Sequence, residues 1–187
     1  MSPGNEKEII KRIRDGETEA FSALLRQHQD KVYSLIAQIV SSHEDAEELT
    51  QDVFVKTFKK ISSFRGDSAI STWLYRIAYN TAISATRKRK QVFINLEEKV
   101  LNNIPDEVVD DLLNLENDEK LLQNIKEAIE KLKPDEKALI SLFYMQGRPV
   151  NEIASITKLT PDNVKVKLFR TRKKIAVLIN QAQYEAR

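Results

Sequence analysis

The stretch from Phe64 to Gln91 holds side chains whose types and spacing can do chemistry beyond packing. On a helix over residues 70–88, at about 100° per residue, Ile70, Leu74, Ile77, Ala78 and Ala85 share an apolar face. Trp73, Arg76, Asn80, Ser84 and Arg87 share a second, narrower stripe. That stripe offers an aromatic plane, an amide and two guanidiniums. Arg65-Gly66-Asp67 precede it as a loop, and Arg87-Lys88-Arg89-Lys90 close it with positive charge. Aromatic planes stack on unpaired bases and cations neutralise phosphates, so the pattern suits single-stranded nucleic acid. The residues alone also allow a plainer reading, in which Trp73 is core and the basic end is a solvated helix terminus.

No comparable constellation supports catalysis. His28 and His43 are the only histidines, and neither has a catalytic partner in the pattern. There is no Gly-rich phosphate loop, no His-Glu metal spacing and no Ser-His-Asp pattern. Cys is absent, which excludes disulfides and thiolate metal sites. The expectation is no catalytic residue, no metal and no cofactor.

The run Phe64-Arg65-Gly66-Asp67-Ser68-Ala69, then Thr72-Trp73-Leu74-Tyr75-Arg76-Ile77-Ala78, then Asn80-Thr81-Ala82 resembles the promoter-melting region of extracytoplasmic-function sigma factors of the sigma-70 superfamily. These small bacterial subunits direct RNA polymerase to promoters. The resemblance implies that Arg65, Asp67, Ser68, Trp73, Arg76, Asn80, Arg87, Lys88 and Arg89 meet the single-stranded −10 element. An unstacked base is expected in a pocket made by the Phe64–Ala69 loop and Asn80. The resemblance also implies that Asp45, Glu48, Gln51, Asp52 and Val55 dock on the clamp of the polymerase's largest subunit. They lie on a helix reading Asp45-Ala46-Glu47-Glu48-Leu49, then Gln51-Asp52-Val53-Phe54. Taken without the resemblance, that acidic face is simply solvated.

A near-neutral total, +2, hides an uneven charge distribution. Residues 91–119 carry nine acids and one base, whereas residues 158–174 carry seven bases and one acid. Local clusters of this kind, rather than net charge, make phosphate-binding surfaces. Few Gly and Pro, ordinary hydrophobic content and periodic apolar positions predict an all-α chain. The longest apolar run, near Val32–Val40, is too short to span a membrane, and the N-terminus lacks a signal pattern. The setting expected is cytoplasmic, with no direct membrane insertion.

The expected architecture is two small helical domains, 1–91 and 118–187, joined by an acidic linker over 92–117. In the first, Glu6–Asp15 reads as a helix, and Thr18 opens another that bends near His28–Asp30. Ser41-Ser42 cap a third, with Ala46, Leu49, Val53, Phe54 and Thr57 inward. The linker contains Pro105 and a possible short helix at Val108–Leu115. In the second domain, helix Asp118–Lys133 points Leu121, Leu122, Ile125, Ile129 and Leu132 inward. Pro134 opens a helix whose core residues are Leu139, Ile140, Leu142, Phe143 and Met145, ending at Gly147.

Helix 149–156, a tight turn at Ile156-Thr157-Lys158-Leu159 and a basic helix from Pro161, capped by Thr160, form a helix-turn-helix. Small Ala154 sits at the crossing. Val164, Leu168, Ile175 and Leu178 point inward, leaving Asn163, Lys165, Val166, Lys167, Phe169, Arg170, Arg172 and Lys173 for double-stranded DNA. This segment also resembles the sigma domain that reads the −35 element. Lys158 stands where such turns often carry Gly, and Arg170 has an alternative as an ion pair with Glu136 or Glu152.

Three functions therefore compete: a sigma factor, a free-standing helix-turn-helix regulator, and an enzyme. The first half of the chain shows no phosphoacceptor pocket and no alternating strand pattern, which argues against a response-regulator type. The resemblance implies three partners for the first reading: core RNA polymerase, promoter DNA and an anti-sigma factor. Through the last, a cytoplasmic chain of this kind can be held at the membrane.

Overall fold

The computed structural model describes residues 3–88 and 119–185, and every regular element among them is helical. The first unit contains α1 (Pro3–Arg14), α2 (Thr18–Ile39), α3 (His43–Lys60), a short 3-10 turn (Ile61–Ser63) and α4 (Ile70–Lys88). The second contains α5 (Glu119–Glu130), α6 (Pro134–Ile140), a π turn (Ser141–Met145), α7 (Val150–Thr157) and α8 (Pro161–Glu185). The acidic linker expected at 92–117, the short helix expected at Val108–Leu115 and Arg89 all lie outside the described residues.

Local sequence explains most boundaries. Ser42 caps α3, its Oγ accepting from the Asp45 amide at 3.1 Å. Thr160 does the same for α8, accepting from the Asn163 amide at 3.2 Å. Each satisfies an amide that has no partner inside its own helix. The bend expected near His28–Asp30 is absent. Neither Gly nor Pro interrupts α2, and His28 takes a place on one buried stripe with Leu24, Val32, Leu35 and Ile39.

Two inward residues are also corrected. Leu122 is 54% exposed, because the buried stripe of α5 centres on Leu121 and Ala128 and leaves it on the rim. Met145 is 51% exposed. It ends the π turn, whose wider winding inserts residues into the helical count and rotates the next side chains away from a 3.6-residue register.

In the first unit α2, α3 and α4 pack mutually around Val32, Ile36, Val53, Phe54, Leu74 and Ala78. Helix α1 closes one end, burying Ile10 and Ile13 against Leu24, Phe64 and Ile70. Each such side chain contributes roughly 1.5–3 kcal/mol. In the second unit α8 packs on α5, α6 and α7. The two units do not stand apart: α4 lies against α7, α2 lies against α6, and one apolar core runs through both. Tyr75 is fully buried at this junction, with the Arg148 guanidinium 4.5 Å from its ring centroid. Thr72 Oγ1 donates to Glu152 Oε1 at 2.8 Å, and Arg148 Nη1 donates to the same oxygen at 2.7 Å. Arg76 Nε donates to the Ser155 carbonyl at 2.9 Å, and Gln146 Nε2 to the Lys31 carbonyl at 3.3 Å.

Candidate nucleic-acid interface

Helix α4 carries the first candidate surface. Asn80 and Arg87 are exposed, and Trp73 and Arg76 are half-buried. The Trp73 ring is tilted against Phe64 with centroids 5.3 Å apart. Arg65 and Asp67 are exposed on the preceding loop, beside a half-buried Ser68, and Gly66 there has a φ of +81°. That left-handed backbone favours glycine. Arg14 reaches across from α1 and donates to the Phe64 carbonyl, tying the loop down. A cavity of about 500 Å³ opens between this loop and α1. Asn80 stands two turns along α4 from Trp73 and is not part of that cavity's lining, which runs from Glu6 to Arg14 on one side and Phe64 to Ala69 on the other. The wall of this cavity that faces the loop is α1. Sequence reading missed it because α1 becomes the loop's neighbour only through folding. Lys88 ends α4.

Helix α3 carries the second surface. Glu48, Gln51, Asp52 and Val55 are exposed along it, and Asp45 in its first turn is half-buried. Asp52 lies 3.7 Å from Lys56, both largely in solvent, a pairing that contributes little. Beside these residues runs an apolar groove of about 470 Å³ between α2 and α3, lined by Phe21, Leu25, Phe54, Val55 and Phe58. Phe58 is 51% exposed and meets Phe21 edge-on at 5.0 Å. Phe21, Leu25 and Phe58 line this groove, where sequence reading had Phe21 and Leu25 only as apolar positions of their own helix. Phe54 and Phe58, four apart on one helix, were the available signal.

The third surface is the N-terminal half of α8. Asn163, Lys165, Val166, Phe169 and Arg170 are exposed. Lys167 is half-buried and donates to Asp135 at 2.9 Å. Arg172 is also half-buried. Lys173 departs from expectation: it is only 8% exposed, and its ammonium lies 4.5 Å from the Phe169 ring centroid. By residue 173 the helix has turned its side chains toward the unit's interior, where Lys174 is held by Glu136 at 2.9 Å. The two carboxylates proposed as partners for Arg170 are engaged elsewhere, Glu136 by Lys174 and Glu152 by Arg148. Glu136 also accepts from the Lys133 amide at 2.8 Å, so one carboxylate anchors the start of α6 and the middle of α8.

Residues 24–92 match the family model "Sigma-70 region 2", and residues 122–175 match "Sigma-70, region 4". The ECF RNA polymerase sigma-E factor of Escherichia coli (strain K12) is 33% identical over 173 residues, covering 89% of this chain and 90% of that protein. The chain belongs to the extracytoplasmic-function sigma factors. The RNA polymerase sigma-H factor of Pseudomonas aeruginosa is 27% identical over 94% of each chain. This sigma factor also shares its fold with CnrH, solved with the cytosolic domain of CnrY, at a TM-score of 0.67 and 19% identity over 94% of this chain and 97% of that one. The sigma factor RpoE of Bartonella quintana, solved with the anti-sigma factor NepR, gives 0.64 at 24% identity over 87% and 98%. Like its family, this sigma factor binds core RNA polymerase and directs transcription from promoters, and a free-standing regulator is set aside.

Proposed function

We propose how the three surfaces divide that work. The chain acts as a dissociable subunit without catalysis of its own. The α3 face, with Glu48, Gln51 and Asp52 beside the Phe58 groove, docks on the clamp of the polymerase's largest subunit. The non-template strand of the −10 element runs along Trp73, Arg76, Asn80 and Arg87, and one base leaves the stack at the Phe64–Ala69 loop. The N-terminal half of α8 enters the major groove at −35, the groove wide enough for a helix and able to distinguish all four base pairs. Lys165, Phe169 and Arg170 face the bases; Asn163, Lys167 and Arg172 face phosphates.

The observation that carries the melting assignment is the Phe64–Trp73 contact, which sets an aromatic stripe directly against a glycine-bent loop and its cavity. Reading an extruded base there recovers part of the few kcal/mol spent on unstacking it. By analogy with the Bartonella quintana sigma factor solved with the anti-sigma factor NepR, such a partner restrains this chain in the cytoplasm. No helix among the described residues is long and apolar enough to cross a membrane.

The test is promoter opening by holoenzyme carrying Asn80→Ala. Closed-complex binding persists and permanganate-reactive thymines appear more slowly. A normal bubble at the normal rate would reassign Asn80 to a structural role.

A further inference from the structure

We infer that α1 is the second wall of the base pocket and that Lys7 and Lys11 grip the phosphates beside the extruded base. The inference rests on the −10 reading above and adds a nucleic-acid contact from an element outside it.

Four observations lead there. The cavity of about 500 Å³ falls within the range of clefts that hold small ligands, about 300–1,000 Å³. Its floor is apolar, made by buried Ile10 and Phe64, and its rim is mainly cationic, with Lys7, Lys11 and Arg14 on α1, Arg65 on the loop and the single carboxylate of Glu6. An apolar floor under a cationic rim matches a nucleotide, whose flat base is apolar on its faces and whose backbone is anionic. Second, Lys7, Lys11 and Arg14 recur at helical spacing, so one row of cations follows one edge of the cavity.

Third, α1 is held in register with the loop at both ends. Arg14 donates to the Phe64 carbonyl, and Glu6 Oε2 accepts from the Ile70 amide at 3.2 Å, capping α4 from another helix. A wall fixed in this way presents its lysines without further ordering. Fourth, Lys7 and Lys11 are exposed, so their ammonium groups are open to a strand passing the mouth. Arg14 is already spent on the loop carbonyl, which makes it a positioning residue rather than a phosphate contact.

The experiment measures binding of holoenzyme to a labelled single-stranded oligonucleotide carrying the non-template −10 sequence, defined by mapping start sites in vitro. Four proteins are compared across a salt series: the parent, Asn80→Ala, Lys7→Gln/Lys11→Gln, and Lys126→Gln/Lys131→Gln. The last pair, exposed on the far unit, removes the same charge away from the cavity. Each phosphate contact on a single strand contributes about 0.7 to the slope of log affinity against log salt. Loss of Lys7 and Lys11 therefore lowers the slope by about 1.4 and weakens binding roughly tenfold near physiological salt. The control pair leaves both unchanged. If the α1 pair behaves like the control pair while Asn80→Ala weakens binding, the α1 wall is overturned and the −10 reading stands. If neither Asn80→Ala nor the α1 pair changes binding, the −10 reading fails and this inference with it.

Discussion

Lys158 sits between α7 and α8 with φ at +61°, the left-handed C-cap that ends α7. A residue with a Cβ is strained there, at a cost on the order of 1–3 kcal/mol, whereas glycine adopts it freely but loses more entropy on folding. Lys158→Gly is expected to stabilise the fold by about 1 kcal/mol, read as a higher urea midpoint at unchanged slope. His28 is the second residue whose surroundings set a measurable property. Burial lowers its pKa from the usual value, and the nearby Arg148 charge pushes the same way. The folded chain thus holds His28 neutral where the unfolded chain binds a proton, so the unfolded state takes up more protons as pH falls. Stability contributed by neutral His28 is fully present above about 6.5 and declines as pH drops below it. His28→Gln should flatten the loss of stability between pH 7 and 5, measured by thermal melts at each pH; an unchanged profile would show that other groups set the acid limb.

At the scale of the element, α3 divides its sides between two jobs. Ala46, Val53, Phe54 and Thr57 face the core, while Glu48, Gln51, Asp52 and Val55 face out. A helix built this way can lose a charge from its outer face without losing its fold. Asp52→Arg is expected to cost about 2–5 kcal/mol of affinity for core polymerase, the cost of leaving a desolvated partner charge unpaired. Its circular dichroism should match the parent. Phe58→Ala tests the neighbouring groove: half-exposed in the free chain, Phe58 gives up little stability when truncated, so weaker core binding with an unchanged melting temperature assigns its ring to docking.

At the scale of the molecule, the two units are packed together, and that packing bears on promoter binding. Elements at −10 and −35 lie about 25 base pairs apart, which is about 85 Å along the helix axis. A compact chain of this length has a radius of gyration near 16 Å. The units must therefore part to occupy both elements, and parting frees Arg76 from the Ser155 carbonyl. Residues 92–117, fully extended, reach about 90 Å, enough to join the two sites. The junction is stapled by Thr72, Glu152 and Arg148 around the Tyr75 ring. Arg148→Ala leaves Glu152 without its cation and Tyr75 without its cover. The expected result is a larger radius of gyration by small-angle scattering and wider separation of dyes placed on α3 and α8. Unchanged scattering would show that the apolar core alone holds the units together.

Much of the fold was legible from residues in a row. The Ser42 and Thr160 caps, Pro at the starts of α6 and α8, and apolar periods along α3 and α8 are local, and local hydrogen bonds and burial patterns enforce them. The helical class and the stripe on α4 come from the same short-range chemistry. The tertiary structure decided the relations between distant segments. Helix α2 runs unbroken because His28 is received on one buried stripe with Leu24, Val32, Leu35 and Ile39. Met145 turns outward because a π turn resets the count, and Lys173 turns inward because Phe169 and the unit's interior receive it. The cavity wall formed by α1 and the Thr72–Glu152–Arg148 junction join residues more than fifty positions apart. Periodicity fixes which face of a helix is apolar, but not which other face it meets; that choice is made by packing, where the whole chain competes for each surface.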